Sequence, residues 1–365
     1  MEPRIQYAKA SDGVNIAYWA LGEGPPLVLM PWIPFSHIQL DWRTYPDFYE
    51  HLARRRKLIR YDCRGSGLSD RPEDNYSLEA HLLDLEAVID RLGAGRVALW
   101  GFMTSGPLAI AYAAHHPDRV SQLILWCCFS SASDLLGSPQ FQGLLALMDK
   151  DWQLFTETMA SVVFGWSAGE PAREFAEYMR ESTSQEILQK ELASLVTLDV
   201  SDLLPQVTSP TLVLHRQQMG YPSMAAARHL ASGIPEARLI VMQGGSSRLG
   251  PEDADDVLRI VDDFLNEGGE ELPKGTAIIL FADIVNSTAL TESMGDAAFR
   301  EKARDLDGAL RSAIRENRGT PVEGKLLGDG VLAVFTSARQ AIEAALASGR
   351  AGESAGLPLH LGLHA

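Results

Sequence analysis

Short apolar runs, bounded by glycine, proline and acidic turns, alternate with stretches whose apolar residues recur every three or four positions. NIAYWAL (15–21) alternates in the way of a strand with one buried face. PPLVLMP (25–31) and KLIRYD (57–62) are apolar almost throughout, the pattern of strands covered on both faces. SLEAHLLDLEAVIDRLG (77–93) opens on an N-cap serine, carries apolar residues at helical spacing and closes on glycine. RVALWG (96–101) predicts a strand, the stretch after Ser105 a helix, and QLILWC (122–127) another strand. Such a βαβαβ rhythm predicts a parallel sheet with helices on both faces.

Between about 129 and 204 the strand pattern stops, and segments such as AREFAEYMRES predict a helical cap over the sheet's C-terminal edge. Strands resume with PTLVLH (210–215) and ARLIVMQG (237–244), and 253–268 predicts an amphipathic helix. The acidic, glycine-bearing stretch 268–276 is expected to be a linker. A second pattern starts at 277: a strand to Ile284, one long helix, a hairpin over 320–335, a helix and a strand from 357. Its βαββαβ order is the ferredoxin-like unit.

Composition narrows the function classes. Apolar residues make up 46% and charged residues 22% of the 365 residues, a globular composition with room for two cores. The net charge of -16 argues against nucleic acid and against an anionic membrane as partners. Within 251–274 nine acids face two bases, which reads as a solvated helix face and linker. Cys63 and the adjacent Cys127 and Cys128 show no metal-binding spacing and suit buried thiols in a reducing compartment. With no apolar leader and no long apolar run, a cytoplasmic protein is expected.

Three motifs carry the chemistry of the first part. YDCRGSGLSDRP follows one strand, WGFMTSG precedes AYAAHHPDRV, and PTLVLH precedes the last strands. In these residues the stretch 1–267 resembles the α/β-hydrolase family, as does PWIPFSHIQLDW after the second apolar run. The resemblance implies an α/β-hydrolase fold with a helical cap. That family places a serine at the centre of G-x-S-x-G, on a strained turn between strand and helix. Met103 stands there in this chain, Met219 at the position of the family's acid, and Ser247 at that of its histidine. No histidine occurs between His229 and His360. A thioether has no proton to surrender and does not attack carbonyls. The resemblance therefore implies no intact triad and no hydrolase activity. A displaced triad would use Thr104 or Ser105, with His37 or His215 as base. Otherwise Ser105 is expected to cap the following helix and Thr104 to hold the turn. Two methionines in place of polar residues make either a softer pocket for a small apolar ligand or a filled, inert core.

Two aspartates carry the chemistry of the second part. FADIVNST puts Asp283 at the end of an apolar strand, and EGKLLGDGVLAVF puts Asp329 in the hairpin between two glycines. The first and third strands of a βαββαβ sheet are antiparallel neighbours, so the two carboxylates are expected side by side, where they would share a proton or hold metal. With these motifs the stretch 277–365 resembles the class III adenylate/guanylate cyclases. The resemblance implies that Asp283 and Asp329, helped by the Ile284 carbonyl, bind two Mg2+ or Mn2+ ions. It implies that Lys325 reads the adenine edge, favouring ATP over GTP, and that a homodimer forms through this domain to complete two sites. The chain stops at LGLHA, before the asparagine and arginine that the family supplies. As a C-terminally truncated domain it is expected to cyclise poorly.

The expectation is a lyase that makes cyclic AMP and pyrophosphate, fused to a catalytically dead hydrolase-like sensing domain in a signalling protein. The alternatives are an active esterase-like hydrolase with a displaced nucleophile, or a non-catalytic binding protein.

Overall fold

The computed structural model describes residues 2–164, 169–248, 251–267, 278–317, 319–322, 330–335 and 337–364. The chain divides into two compact units, Met1–Gly268 and Gly269–Ala365.

In the first unit the chain runs β1 (Gln6–Lys9), β2 (Asn15–Leu21), β3 (Pro26–Leu29), α1 (Ile38–Thr44), α2 (Pro46–Ala53), β4 (Lys57–Tyr61), α3 (Leu78–Arg91), β5 (Val97–Phe102), α4 (Gly106–His115) and β6 (Val120–Trp126). Five helices follow: α5 (Ser133–Leu136), α6 (Pro139–Met148), α7 (Trp152–Phe164), α8 (Glu170–Ser182) and α9 (Gln185–Leu195). Then come β7 (Thr211–Arg216), α10 (Met224–Gly233), β8 (Arg238–Met242) and α11 (Pro251–Glu267).

The eight strands form one sheet in the order β1-β2-β4-β3-β5-β6-β7-β8. From β4 onward all pairings are parallel, whereas β1 pairs β2 and β2 pairs β4 antiparallel. The sheet is thus mixed rather than purely parallel. β1 is short and half-polar, so its pairing with β2, not its own pattern, makes it a strand.

Each sheet face has its own core. Leu85, Val88 and Ile89 of α3, Leu108 to Ala113 of α4 and Leu230 of α10 cover one face. Ile38 and Trp42 of α1, Tyr49 and Leu52 of α2, and Val257, Val261 and Phe264 of α11 cover the other. A third core joins α5 to α9 through Leu135, Phe141, Phe155, Phe175 and Leu188, and makes them a cap. Burial of large side chains on this scale, about 1.5–3 kcal/mol for each, is the main force holding the layers together.

The second unit contains β9 (Ile278–Ile284), α12 (Ser287–Met294), α13 (Asp296–Glu316), β10 (Thr320–Val322), β11 (Val331–Phe335), α14 (Ala338–Ala355) and β12 (Leu359–His364). Its four strands pair antiparallel in the order β10-β11-β9-β12. Leu306, Leu310 and Ile314 of α13 and Ala341 and Ala344 of α14 pack with Leu280, Ala282 and Ala333. The single long helix expected after β9 is two helices. Gly295, at φ 85°, ends α12 and starts α13 in a backbone conformation that favours glycine.

Candidate functional site

The turn from β5 to α4 is built around Met103, which adopts φ 49°, a left-handed conformation costly for a side chain of this size. Small residues let the strand and helix close on each other. A Cβ on Gly106 would lie 2.4 Å from Cys128 Cβ, and one on Gly101 would lie 3.2 Å from Ala109 Cβ. Ser105 does not cap α4, contrary to the sequence expectation. Its hydroxyl turns back, accepting the Phe102 N–H at 2.9 Å and donating to the Phe102 carbonyl at 3.0 Å. Thr104 Oγ1 donates to the Ile33 carbonyl at 2.7 Å, tying the turn to the loop after β3.

A cavity of about 330 Å³ opens against this turn, beneath the cap. Met103, Met219 and Ser247, distant in sequence, all line it. Met219 comes from the loop after β7. Ser247 comes from the loop after β8, where its carbonyl accepts the Trp126 indole N–H at 2.6 Å. Thr104 and Leu108 complete the sheet side, and Leu145, Phe155, Met159 and Leu195 supply apolar walls from the cap.

One histidine lines this cavity among the described residues, and sequence reasoning passed over it. His81 of α3 places Nε2 3.1 Å from both carboxylate oxygens of Glu191 on α9. Its Nδ1 stands 3.6 Å from Asp84. Burial alone would lower the imidazolium pKa, but Glu191 and Asp84 outweigh burial and raise it to about 9. Asp84 is itself bridged to the fully buried Arg64, which also reaches Asp12 at 2.8 Å. A readable trace existed. His81 stands four and seven residues before Leu85 and Val88 on the apolar stripe of its helix, and Glu191 stands on that of α9. Ionisable side chains at buried positions mark paired charges.

The other candidate bases lie elsewhere. His37 caps α1, accepting the Leu40 N–H at 3.5 Å, and burial lowers its pKa. His215 is buried near the end of β7, where burial drops its pKa to about 4. Neither is among the cavity's lining residues. Ser105 is buried outside the lining, so of the two candidate nucleophiles Thr104 alone is a lining residue.

The comparisons with known proteins bear on the fold that carries this turn. A family model described as alpha/beta hydrolase fold matches residues 36–180. The esterase from Exiguobacterium antarcticum superposes with a TM-score of 0.62, at 22% identity, over 72% of this chain and 99% of that one. The first unit has an α/β-hydrolase fold. An AB hydrolase superfamily protein of Bacillus subtilis, YisY, is 24% identical over 277 residues, covering 71% of this chain and 98% of its own. The pimeloyl-[acyl-carrier protein] methyl ester esterase of Nitrosomonas europaea is 27% identical over 231 residues, covering 60% and 87%.

These matches overturn the expected conversion of ATP to cyclic AMP, because the relatives and the solved structure are hydrolases and an esterase. The Asp283 carboxylate is exposed at its strand end and accepts the N–H of its own neighbour Ile284 at 3.0 Å. The Ile284 side chain is buried in the core of its unit. Lys325 and Asp329 lie outside the described residues. Among those described, no three His, Cys, Asp or Glu side chains gather as a metal site requires. No described helix is long and apolar enough to cross a membrane.

Proposed function

We propose that the first unit is a hydrolase-fold binding module that takes a small, mainly apolar ester or its acid in the Met103 cavity without turning it over by a serine mechanism. The observation that carries this reading is the position of Met103. It holds the strained turn where an α/β hydrolase presents its nucleophile, and it borders the cavity with Met219 and Ser247. A nucleophile also needs a base within hydrogen-bond reach. The histidine on the wall, His81, is held protonated by Glu191 and Asp84 at neutral pH, so it offers a proton rather than taking one. Thioether and aromatic walls make an adaptable apolar container, and the His81–Glu191 pair offers one polar anchor. The esterase relative supports an acyl ester as the ligand class.

Calorimetric titration of the full chain with methyl esters of four to ten carbons tests the reading. Saturable binding that Leu145→Trp weakens at least tenfold is expected, because Leu145 lines the cavity. Absence of binding across the series argues for a filled, inert core.

One observation favours a second reading, an esterase with a displaced nucleophile: Thr104 lines the cavity. Turnover of 4-nitrophenyl esters that Thr104→Val abolishes would select it.

A further inference from the structure

The first unit encloses a second cavity, of about 420 Å³, bounded by α1, α2 and the ends of β5 and β6. Trp32 and Phe35 line both cavities, so this one lies across an aromatic partition from the Met103 cavity. Its walls are strongly aromatic: Tyr45 and Phe48 on the helical side, Trp100, Phe102 and Trp126 along the strand ends, and Tyr178 from the cap.

Two guanidinium groups line the space, and they differ. Arg60 is matched, with an ion pair to Asp41 and bonds at 3.1 Å to the Leu29 and Met30 carbonyls. Among the described residues Arg248 is not matched by charge. Its guanidinium carbon lies 4.5 Å from the Phe175 ring centroid, 4.9 Å from that of Phe164 and 5.4 Å from that of Tyr45. It donates to the Tyr45 hydroxyl. Among the described residues no carboxylate pairs with it, and its other guanidinium N–H groups have no acceptor. Asp47, the remaining charged lining residue, stands exposed in the first turn of α2.

We propose that this second cavity is a binding site for a planar aromatic carboxylate. The ring lies among the tryptophan and tyrosine faces, where offset and edge contacts favour a flat aromatic over an alkyl chain. The carboxylate meets the planar fork of Arg248, whose N–H groups without an acceptor among the described residues suit a two-point bond to a carboxylate. Three rings whose centroids lie within 5.4 Å of the guanidinium carbon hold the group in place before the ligand arrives, so little freedom is lost on binding. The site is separate from the Met103 cavity and stands whether or not that cavity binds an ester.

The test is calorimetric titration of the full chain with 2-naphthoate and with the neutral 2-naphthamide. Naphthoate is expected to bind at least tenfold more tightly. Arg248→Gln should remove that preference while leaving the amide's affinity within twofold, and thermal unfolding should show that the variant is folded. Arg248→Lys, which keeps the charge and loses the fork, should fall between the two and serves alone if the glutamine variant does not fold. Leu145→Trp, which narrows the Met103 cavity, should leave naphthoate affinity unchanged. Equal affinities for acid and amide, an unchanged affinity in folded Arg248→Gln, loss of naphthoate binding in Leu145→Trp, or no saturable binding up to millimolar ligand would each overturn the proposal.

Discussion

The imidazole of His81 on α3 lies 3.1 Å from both carboxylate oxygens of Glu191 on α9, a buried charge pair that joins the cap to the sheet-bearing core. Burial opposes the charged imidazole, but its acidic neighbours raise its pKa to about 9, against about 6.5 for a histidine in an unfolded chain. The stabilisation is therefore fully present below about pH 6.5 and is lost as pH rises through about 9. Its full size should be on the order of 3 kcal/mol. Thermal unfolding of the wild type is expected to fall in temperature between pH 7 and pH 9.5. In His81→Gln that fall should shrink. An equal slope in both proteins would show that the pair carries no linkage.

Gly106 opens α4 against Cys128, with no room for a Cβ. Gly106→Ala is expected to cost ~1–3 kcal/mol through overpacking. Gly143 of α6 has nothing within 4 Å of a Cβ position, so Gly143→Ala should gain ~0.5–1 kcal/mol by helix propensity. Denaturant unfolding of the two variants should give opposite signs. A destabilised Gly143→Ala or a neutral Gly106→Ala would contradict the packing described.

Ser105 and Met103 separate structure from chemistry at the turn. Ser105→Ala removes both bonds to Phe102 and should cost ~1–2 kcal/mol, with no change in ligand affinity, since Ser105 does not line the cavity. Met103→Ser places a hydroxyl on the cavity wall but brings no base, because His81 is protonated. Its turnover of 4-nitrophenyl butyrate is expected to stay at the buffer rate. A sustained rate above it would show that a base is already in place.

The strands near the turn were legible because burial on both faces leaves little but apolar residues, as in Pro26–Leu29 and Val97–Phe102. α1 and α2 escaped notice because prolines flank them, although Ile38 and Trp42, and Tyr49 and Leu52, keep helical spacing. β1 was invisible because a four-residue strand takes its identity from its partner. Of the site, the convergence of Met103, Met219 and Ser247 could be anticipated only through family motifs, since nothing local links three loops. The His81–Glu191 pair needed tertiary knowledge, because each residue alone looks like a polar interruption of an amphipathic helix. The backward turn of the Ser105 hydroxyl depended on the left-handed Met103, and nothing in the type of that residue announces such a conformation.

Equilibrium dialysis of the full chain against methyl octanoate, followed by chromatography of the recovered ligand, tests the binding-module reading most directly. Retention of the ester, intact and in a saturable amount near one per chain, is the expected result. Recovery of octanoate with methanol, at a rate above buffer and abolished by Thr104→Val, would contradict it.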